Sequence, residues 1–208
     1  MRFVDEYRDR TLVLKLAENI RSISRRKIAL MEVCGGHTMS IQRFGIPALL
    51  PPTISLLSGP GCPVCVSSRR YIDLAIALSR IPGVIITTYG DLIRVPGSST
   101  SLDKEKSKGA DIRIVYSPMD ALAVAQKNPT AEIVFLGIGF ETTAPASAAA
   151  IIGAERYGLS NFYLLSTHKI MPPAMAALID EGVKIDGYIA PGHVSAITGT
   201  SIYTDVAE

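Results

Sequence analysis

The sequence predicts an α/β fold. Short apolar runs rich in β-branched residues alternate with helical stretches along the 208 residues, which is typical of mostly parallel sheets covered by helices. Polar or glycine-rich turns follow almost every predicted strand, as in open sheets that bind ligands at the carboxyl ends of their strands. We therefore expect two Rossmann-like lobes, the first at residues 1–118 and the second, incomplete, at residues 119–208.

The individual elements follow from the spacing of apolar residues. Apolar side chains recur every three to five positions over residues 4–24, which predicts an amphipathic helix. Seven short runs predict strands at 28–33, 54–58, 84–88, 112–116, 133–136, 162–166 and 187–190. Four stretches between them predict helices at 67–79, 119–126, 145–157 and 172–181. The segment 96–109 is rich in Ser and Lys and predicts a mobile loop.

Composition excludes several classes of function. Apolar residues make up 48% of the chain, the net charge is +2 without a long charged block, and aromatic residues are only 6%. These values argue against nucleic-acid binding. The longest uncharged stretch, 44–68, contains five prolines, which a membrane helix does not tolerate. Without a signal-like N-terminus, and with three cysteines, the chain is expected to be soluble and cytoplasmic.

Two of the three cysteines lie in the run Gly59-Pro60-Gly61-Cys62-Pro63-Val64-Cys65. This run lies between a predicted strand and a predicted helix, with Ser67 or Ser68 as the N-cap. A helix N-terminus favours the reactive thiolate, as in dithiol oxidoreductases. Two buried structural cysteines are the competing interpretation. The paired spacing after glycines favours a dithiol formed by Cys62 and Cys65.

The third cysteine opens the motif Cys34-Gly35-Gly36-His37. A thiolate and an imidazole three positions apart suit a metal ligand or a nucleophile, whereas a lone cysteine is more often part of the core. Cys34, His37, Cys62 and Cys65 together also match the ligand count of a Cys₃His zinc site. Such sites usually stabilise small domains with poor cores, whereas 48% of this chain is apolar and supplies an ample core. The zinc site therefore ranks second to redox chemistry.

Further polar residues follow predicted strands, namely Asp91, Glu141, Thr142, His168 and His193. A helix N-cap at Thr142 or Thr143 explains the threonines equally well, and a lone histidine is more often structural. Because the carboxyl ends of parallel strands meet at one edge of a sheet, we expect six polar turns to gather along a single edge.

Six stretches in this order resemble the HypD family of hydrogenase maturation proteins: 31–37, 59–66, 90–97, 110–118, 139–145 and 191–195. The resemblance implies a scaffold in [NiFe]-hydrogenase maturation that holds iron while an Fe(CN)₂CO unit is assembled, with HypC and HypE as partners. It implies Cys34 as the iron ligand, together with a cysteine of HypC, and His37 beside it. Cys62 and Cys65 are the implied redox-active dithiol.

The resemblance also implies a cleft between the lobes, where Asp91, Glu141, Thr142 and His193 would face the cysteines. Family members are longer and bind a [4Fe–4S] cluster through four cysteines in their C-terminal part. With only three cysteines, this chain is not expected to hold that cluster. A Cys₃His zinc domain and a thioredoxin-like dithiol oxidoreductase remain as alternative functions.

Overall fold

The computed structural model describes residue 5 and residues 8–62, 64 and 67–207. Contacts divide the chain into two compact units. The first comprises Met1–Gly61 and Pro172–Glu208, and the second comprises Cys62–Met171. The chain therefore leaves the first unit directly before Cys62 and returns to it after Met171.

At least one helix follows each strand of the described chain. The helices and strands are α1 (Arg10–Ile23), β1 (Ile28–Glu32), α2 (Gly35–Arg43), α3 (Ile46–Leu49), β2 (Ile54–Ser58), α4 (Arg69–Ser79), β3 (Val84–Thr88), α5 (Leu102–Ser107), β4 (Ile112–Ile114), α6 (Pro118–Lys127), β5 (Glu132–Gly137), α7 (Ala144–Arg156), β6 (Phe162–Ser166), α8 (Met171–Asp180), β7 (Gly187–Ile189), α9 (Gly192–Thr198) and α10 (Thr204–Ala207). Short 3₁₀ helices cover Leu92–Arg94 and Ser201–Tyr203. Among the described residues, no helix combines the length and the apolar character needed to span a bilayer.

The first unit contains a three-stranded parallel sheet in the order β2-β1-β7. Strand β1 lies in the middle, where Leu30 pairs with Leu56 of β2 and with Gly187 of β7. Asp186, directly before β7, accepts a hydrogen bond of 2.8 Å from the backbone N–H of Ala29. This bond fixes the start of β7 against β1 across 157 residues of sequence.

The second unit contains a four-stranded parallel sheet in the order β4-β3-β5-β6. The central strands β3 and β5 are almost entirely buried, which explains why they are apolar without alternation. Phe135 of β5 is fully buried and meets the ring of Tyr89 edge-on, with 5.6 Å between centroids. The core of this unit lies around these two strands.

The structure confirms the predicted α/β class with parallel sheets. Each of the seven predicted strands is present, although β4 ends at Ile114 rather than at residue 116. Ser68 is the N-cap of α4, since its side chain accepts a hydrogen bond from Tyr71 N–H. At α7 the expected N-cap is confirmed in position but not in its hydrogen bond. Thr143 occupies the N-cap position, but its hydroxyl donates to Phe140 O instead of accepting from the helix.

The division into units differs from the boundary that we placed at residues 118 and 119. Strand β7 pairs with β1, and β3 pairs with β5, so the compact units do not follow chain order. The expectation that six polar turns share one edge is also wrong. The turns after β1, β2 and β7 belong to one sheet, and those after β3, β5 and β6 belong to the other.

The expectation of a mobile loop over 96–109 is wrong as well. Pro96 and Ser101 form an antiparallel bridge, and Asp73 accepts 2.6 Å hydrogen bonds from both the backbone N–H and the hydroxyl of Ser98. Leu102, the first residue of α5, is fully buried. Because one buried leucine anchors the segment to the core, its polar composition does not make it a free loop.

The buried carboxylate of Glu105 on α5 makes the stability of the second unit pH-dependent. Arg80 Nε and Lys108 Nζ each donate a hydrogen bond of 2.8 Å to it, and these bonds lower its pKa from 4.5 to about 2. A lowered carboxyl pKa stabilises the folded state above the unfolded value, and this stabilisation is lost as the pH falls through the folded value. We expect Glu105→Gln to reduce the free energy of unfolding at neutral pH, with a difference from wild type that shrinks between pH 4.5 and pH 2. Urea unfolding at several pH values measures this.

The matched control is Glu155→Gln, which neutralises an exposed carboxylate on α7. It should leave the free energy of unfolding nearly unchanged at each pH. Equal pH profiles for the two variants would contradict the role assigned to the Glu105 ion pairs.

Candidate functional site

Cys34 lies two residues after the last residue of β1, at the carboxyl end of the central strand of the first unit. Its thiol is free and half-buried. The backbone N–H groups of His37 and Thr38 donate to Cys34 O at 2.9 and 3.3 Å, so α2 begins at Gly35, inside the Cys-Gly-Gly-His motif. The motif is therefore the start of a helix that presents the thiol at the edge of the sheet.

Glu32, two residues before Cys34, is a site residue that the sequence analysis missed. Its side chain is only 3% exposed although it ends strand β1. Thr38 Oγ1 donates to Glu32 Oε1 at 2.6 Å, and Ser58 Oγ donates to the same oxygen at 3.0 Å. Glu32 Oε2 is buried without a hydrogen-bond partner among the described residues. A carboxylate at the end of an apolar strand was the available signal.

His37 lies in the first turn of α2 and is half-buried. Its Nδ1 is buried and has no hydrogen-bond partner in the described part of the chain. The ring borders an apolar groove of about 490 Å³, whose other lining residues include Leu30, Ile41 and Leu56. His37 is close to Cys34 in sequence, and its Nδ1 is free for a hydrogen bond as far as the described residues show.

The glycines after β2 allow this loop to pack on the Cys34 turn. A Cβ on Gly61 would lie 2.5–2.7 Å from backbone atoms of Gly35 and Cys34, and a Cβ on Gly59 would lie 2.8 Å from Glu32 O. Both distances are shorter than real Cβ contacts. The loop therefore approaches Cys34 at a distance that only glycine permits.

The predicted dithiol begins where the chain enters the second unit. Cys62 is the first residue of that unit and has a free, half-buried thiol. Cys65 lies outside the described residues. Of the two predicted thiols, the structure therefore describes only that of Cys62, which follows the tightly packed Gly61 in sequence.

Of the remaining candidates in the second unit, Glu141 is the most constrained. Its Oε1 accepts a 2.6 Å hydrogen bond from the backbone N–H of Met171, and its Oε2 is buried without a partner among the described residues. It follows Gly139, whose φ is +150° and whose missing Cβ leaves room for Thr143. Thr142 is exposed just before α7, and Asp91 is exposed after β3.

The two other histidines have different surroundings. His193 is exposed in the first turn of α9, in the first unit. His168 of the second unit lies between two hydroxyls, with Ser166 Oγ 2.9 Å from Nδ1 and Ser147 Oγ 3.4 Å from Nε2. Burial lowers the pKa of His168. This is the environment of a neutral histidine that is held in place by hydrogen bonds.

A metal centre formed by the chain alone is not found in the described residues, because no three His, Cys, Asp or Glu side chains there are grouped to hold an ion. The Cys₃His alternative needs Cys65, which lies outside the described residues. Cys34, as a half-buried free thiol, is a donor that a soft metal prefers.

Comparison with known proteins agrees with the motifs. The family model HypD, described as "Hydrogenase formation hypA family", matches residues 11–208. The chain belongs to the HypD family. The HypD-family match confirms the resemblance found from the sequence, and it spans Cys34, His37, Cys62 and Cys65.

Several HypD-family relatives align with the whole chain or nearly so. "Hydrogenase maturation factor HypD" of Rhodobacter capsulatus is 46% identical over 216 residues, which cover 100% of this chain and 57% of that protein. The Escherichia coli (strain K12) protein of the same name is 45% identical over 215 residues, 100% of this chain and 58% of its own length. The Cupriavidus necator protein is 43% identical over 213 residues, 98% of this chain and 56% of its own length. The chain thus spans a little more than half the length of these curated relatives.

The close packing of Gly61 predicts a sensitive position. We expect Gly61→Ala to destabilise the first unit by about 1–3 kcal/mol, since the added methyl must displace backbone atoms rather than a flexible side chain. The variant should also change the rate at which iodoacetamide alkylates Cys34. Thermal unfolding and alkylation followed by peptide mass mapping measure the two effects.

Gly35→Ala is the matched control, because a Cβ at Gly35 meets no described atom within 4 Å. We expect this variant to unfold at nearly the wild-type temperature. If Gly61→Ala proves as stable as Gly35→Ala, the close approach of the loop to Cys34 is not a constraint on the fold.

Proposed function

We propose that this chain is part of a scaffold for the maturation of [NiFe]-hydrogenases, in which Cys34 binds the iron that becomes the Fe(CN)₂CO unit. The observation that carries the proposal is the free, half-buried thiol of Cys34 at the carboxyl end of the central strand β1. Membership of the HypD family supports it, because matched relatives are named hydrogenase maturation factors.

The chemistry of iron as cargo suits a thiolate. Iron that carries cyanide and carbon monoxide is soft, and soft metals favour sulfur over carboxylate oxygen. A single thiolate from this chain leaves coordination positions free for the added ligands and for a donor from another protein. We propose that this second donor is a cysteine of a HypC-type chaperone and that a HypE-type protein supplies the cyanide-forming group.

Cys62 and Cys65 are proposed as a redox-active dithiol. Oxidation of two thiols to a disulfide releases two electrons and two protons, so such a pair supplies electrons in the number that a two-electron reduction of a ligand precursor consumes. The free thiol of Cys62 and the glycines before it support this role. The electron donor that restores the dithiol would be a thiol or an iron–sulfur protein.

The other predicted residues receive supporting roles. We propose that His37, whose buried Nδ1 has no partner within the described part of the chain, exchanges protons or hydrogen bonds with groups bound at Cys34. Glu141 offers a buried carboxylate oxygen without a partner among the described residues, whereas Asp91, Thr142 and His193 are exposed. These exposed residues are candidates for contacts with cargo or with partner proteins.

The test is the metal content of the protein after anaerobic expression with a HypC-type chaperone. We expect the wild type to retain iron and Cys34→Ala to lose it. Titration of the remaining thiols should still show the Cys62–Cys65 pair in Cys34→Ala, because the dithiol does not depend on Cys34. Thr198→Ala, which removes one hydroxyl from α9, is the control for a general loss of folding.

Three outcomes would overturn the proposal. Iron retained at the wild-type level by Cys34→Ala would remove Cys34 as the ligand. Stoichiometric zinc that is lost on substitution of any of Cys34, His37, Cys62 or Cys65 would favour the Cys₃His domain instead. Dithiol reductase activity that is unaffected by Cys34→Ala, in a protein that never binds iron, would favour the thioredoxin-like alternative.

A further inference from the structure

The carboxylate of Glu32 is unusual in its surroundings. It is 3% exposed at the end of an apolar strand, and within the described ranges its two hydrogen-bond donors are hydroxyls rather than cations. A buried carboxylate without a cationic partner is unfavourable for stability, and an apolar residue of similar volume would be more favourable. Val33, the next residue, shows that this strand end accommodates a fully buried apolar side chain.

The two hydroxyls that bind Glu32 belong to different segments. Thr38 lies on α2, one residue after His37, and Ser58 is the last residue of β2. A single oxygen, Oε1, accepts from both. Glu32 therefore joins α2, which begins directly after Cys34, to the strand that leads into the glycine loop.

The backbone of Glu32 strengthens the same connection. Its carbonyl oxygen accepts a 2.8 Å hydrogen bond from Gly59 N–H, and two residues later Gly61 packs on the backbone of Cys34 and Gly35. The side chain of Glu32 thus holds α2, which begins one residue after Cys34, and its backbone holds the glycine loop, which packs on the Cys34 backbone.

We propose that Glu32 is a positioning residue for the Cys34 thiol. Its Oε1 fixes α2 relative to the end of β2, and this connection sets how far the thiol is exposed at the sheet edge. The consequence for iron binding rests on the function proposed above. The positioning itself is a property of the metal-free protein and is measured without iron or partner proteins.

The experiment measures the rate at which iodoacetamide alkylates Cys34 in the folded, metal-free chain at fixed pH. Trypsin separates the sites, since Cys34 lies alone in the peptide 28–43, whereas Cys62 and Cys65 lie in the peptide 44–69. We expect Glu32→Ala to raise the rate at Cys34 roughly fivefold, the factor that one net hydrogen bond supplies. The half-buried thiol becomes more exposed when α2 is no longer held.

Two further variants separate the hydrogen bonds from other effects of the substitution. Glu32→Gln keeps an oxygen that accepts from Thr38 and Ser58, so it should alkylate at close to the wild-type rate. Thr38→Val keeps the shape of the side chain but removes one donor, so it should raise the rate even where Glu32→Ala folds poorly. Circular dichroism and thermal unfolding establish that each variant is folded at the temperature of the assay.

Tyr188→Phe is the matched control, because it removes a 2.8 Å hydrogen bond to Met175 O in the same unit. Its alkylation rate should equal that of the wild type. The proposal is overturned if folded Glu32→Ala and Thr38→Val alkylate at the wild-type rate, if Glu32→Gln behaves like Glu32→Ala, or if Tyr188→Phe raises the rate equally. Iron binding is measured in a separate experiment. A failure of the proposed function would appear only in that experiment and would not change the alkylation rates.

Discussion

The first unit depends on a short stretch at the carboxyl end of β1, where two contacts meet. One is made by the buried carboxylate of Glu32, and the other is the packing of a glycine directly on the backbone. Glu32 binds hydroxyls from α2 and β2, and Gly61 packs directly on the backbone of Cys34. Each contact restricts a different degree of freedom. The hydrogen bonds hold the helix, and the close packing holds the loop. A half-buried thiol is presented reproducibly only when both are held, because a turn containing two glycines has little conformational preference of its own.

Much of the secondary structure was predictable because it is encoded locally. Short β-branched runs give strands, and serines before apolar runs give caps such as Ser68. Strand pairing was not predictable in this way. The contact between Ala29 and Asp186 joins residues 157 positions apart, and nothing in either local pattern shows it. The prediction of a mobile loop at 96–109 was wrong for a related reason, since the burial of Leu102 and the hydrogen bonds from Ser98 to Asp73 depend on the fold and not on local composition.

Candidate site residues can be proposed from the sequence where the chemistry depends on residue type, and less readily where it depends on surroundings. Cys34 and His37 were evident from the motif itself. Glu32 was not, although it lies two residues before Cys34 and a period of two places alternate strand residues on one face. Its significance comes from burial and from Thr38 and Ser58, which only the fold brings to it. In contrast, Thr142 and Asp91 fit the sequence pattern but are exposed.

The arrangement around Cys34 also bears on the choice of metal. A carboxylate close to a thiolate would ordinarily compete for a cation and favour harder ions. In this unit Glu32 Oε1 is occupied by two hydroxyls and the side chain is buried, whereas the thiol of Cys34 is free and partly accessible. Glu32 therefore keeps only one buried oxygen, Oε2, without a partner among the described residues, whereas the soft sulfur donor of Cys34 is accessible. If Cys34 binds iron as we propose, selectivity for a soft iron centre depends on the burial of the Glu32 carboxylate as well as on the accessible thiol.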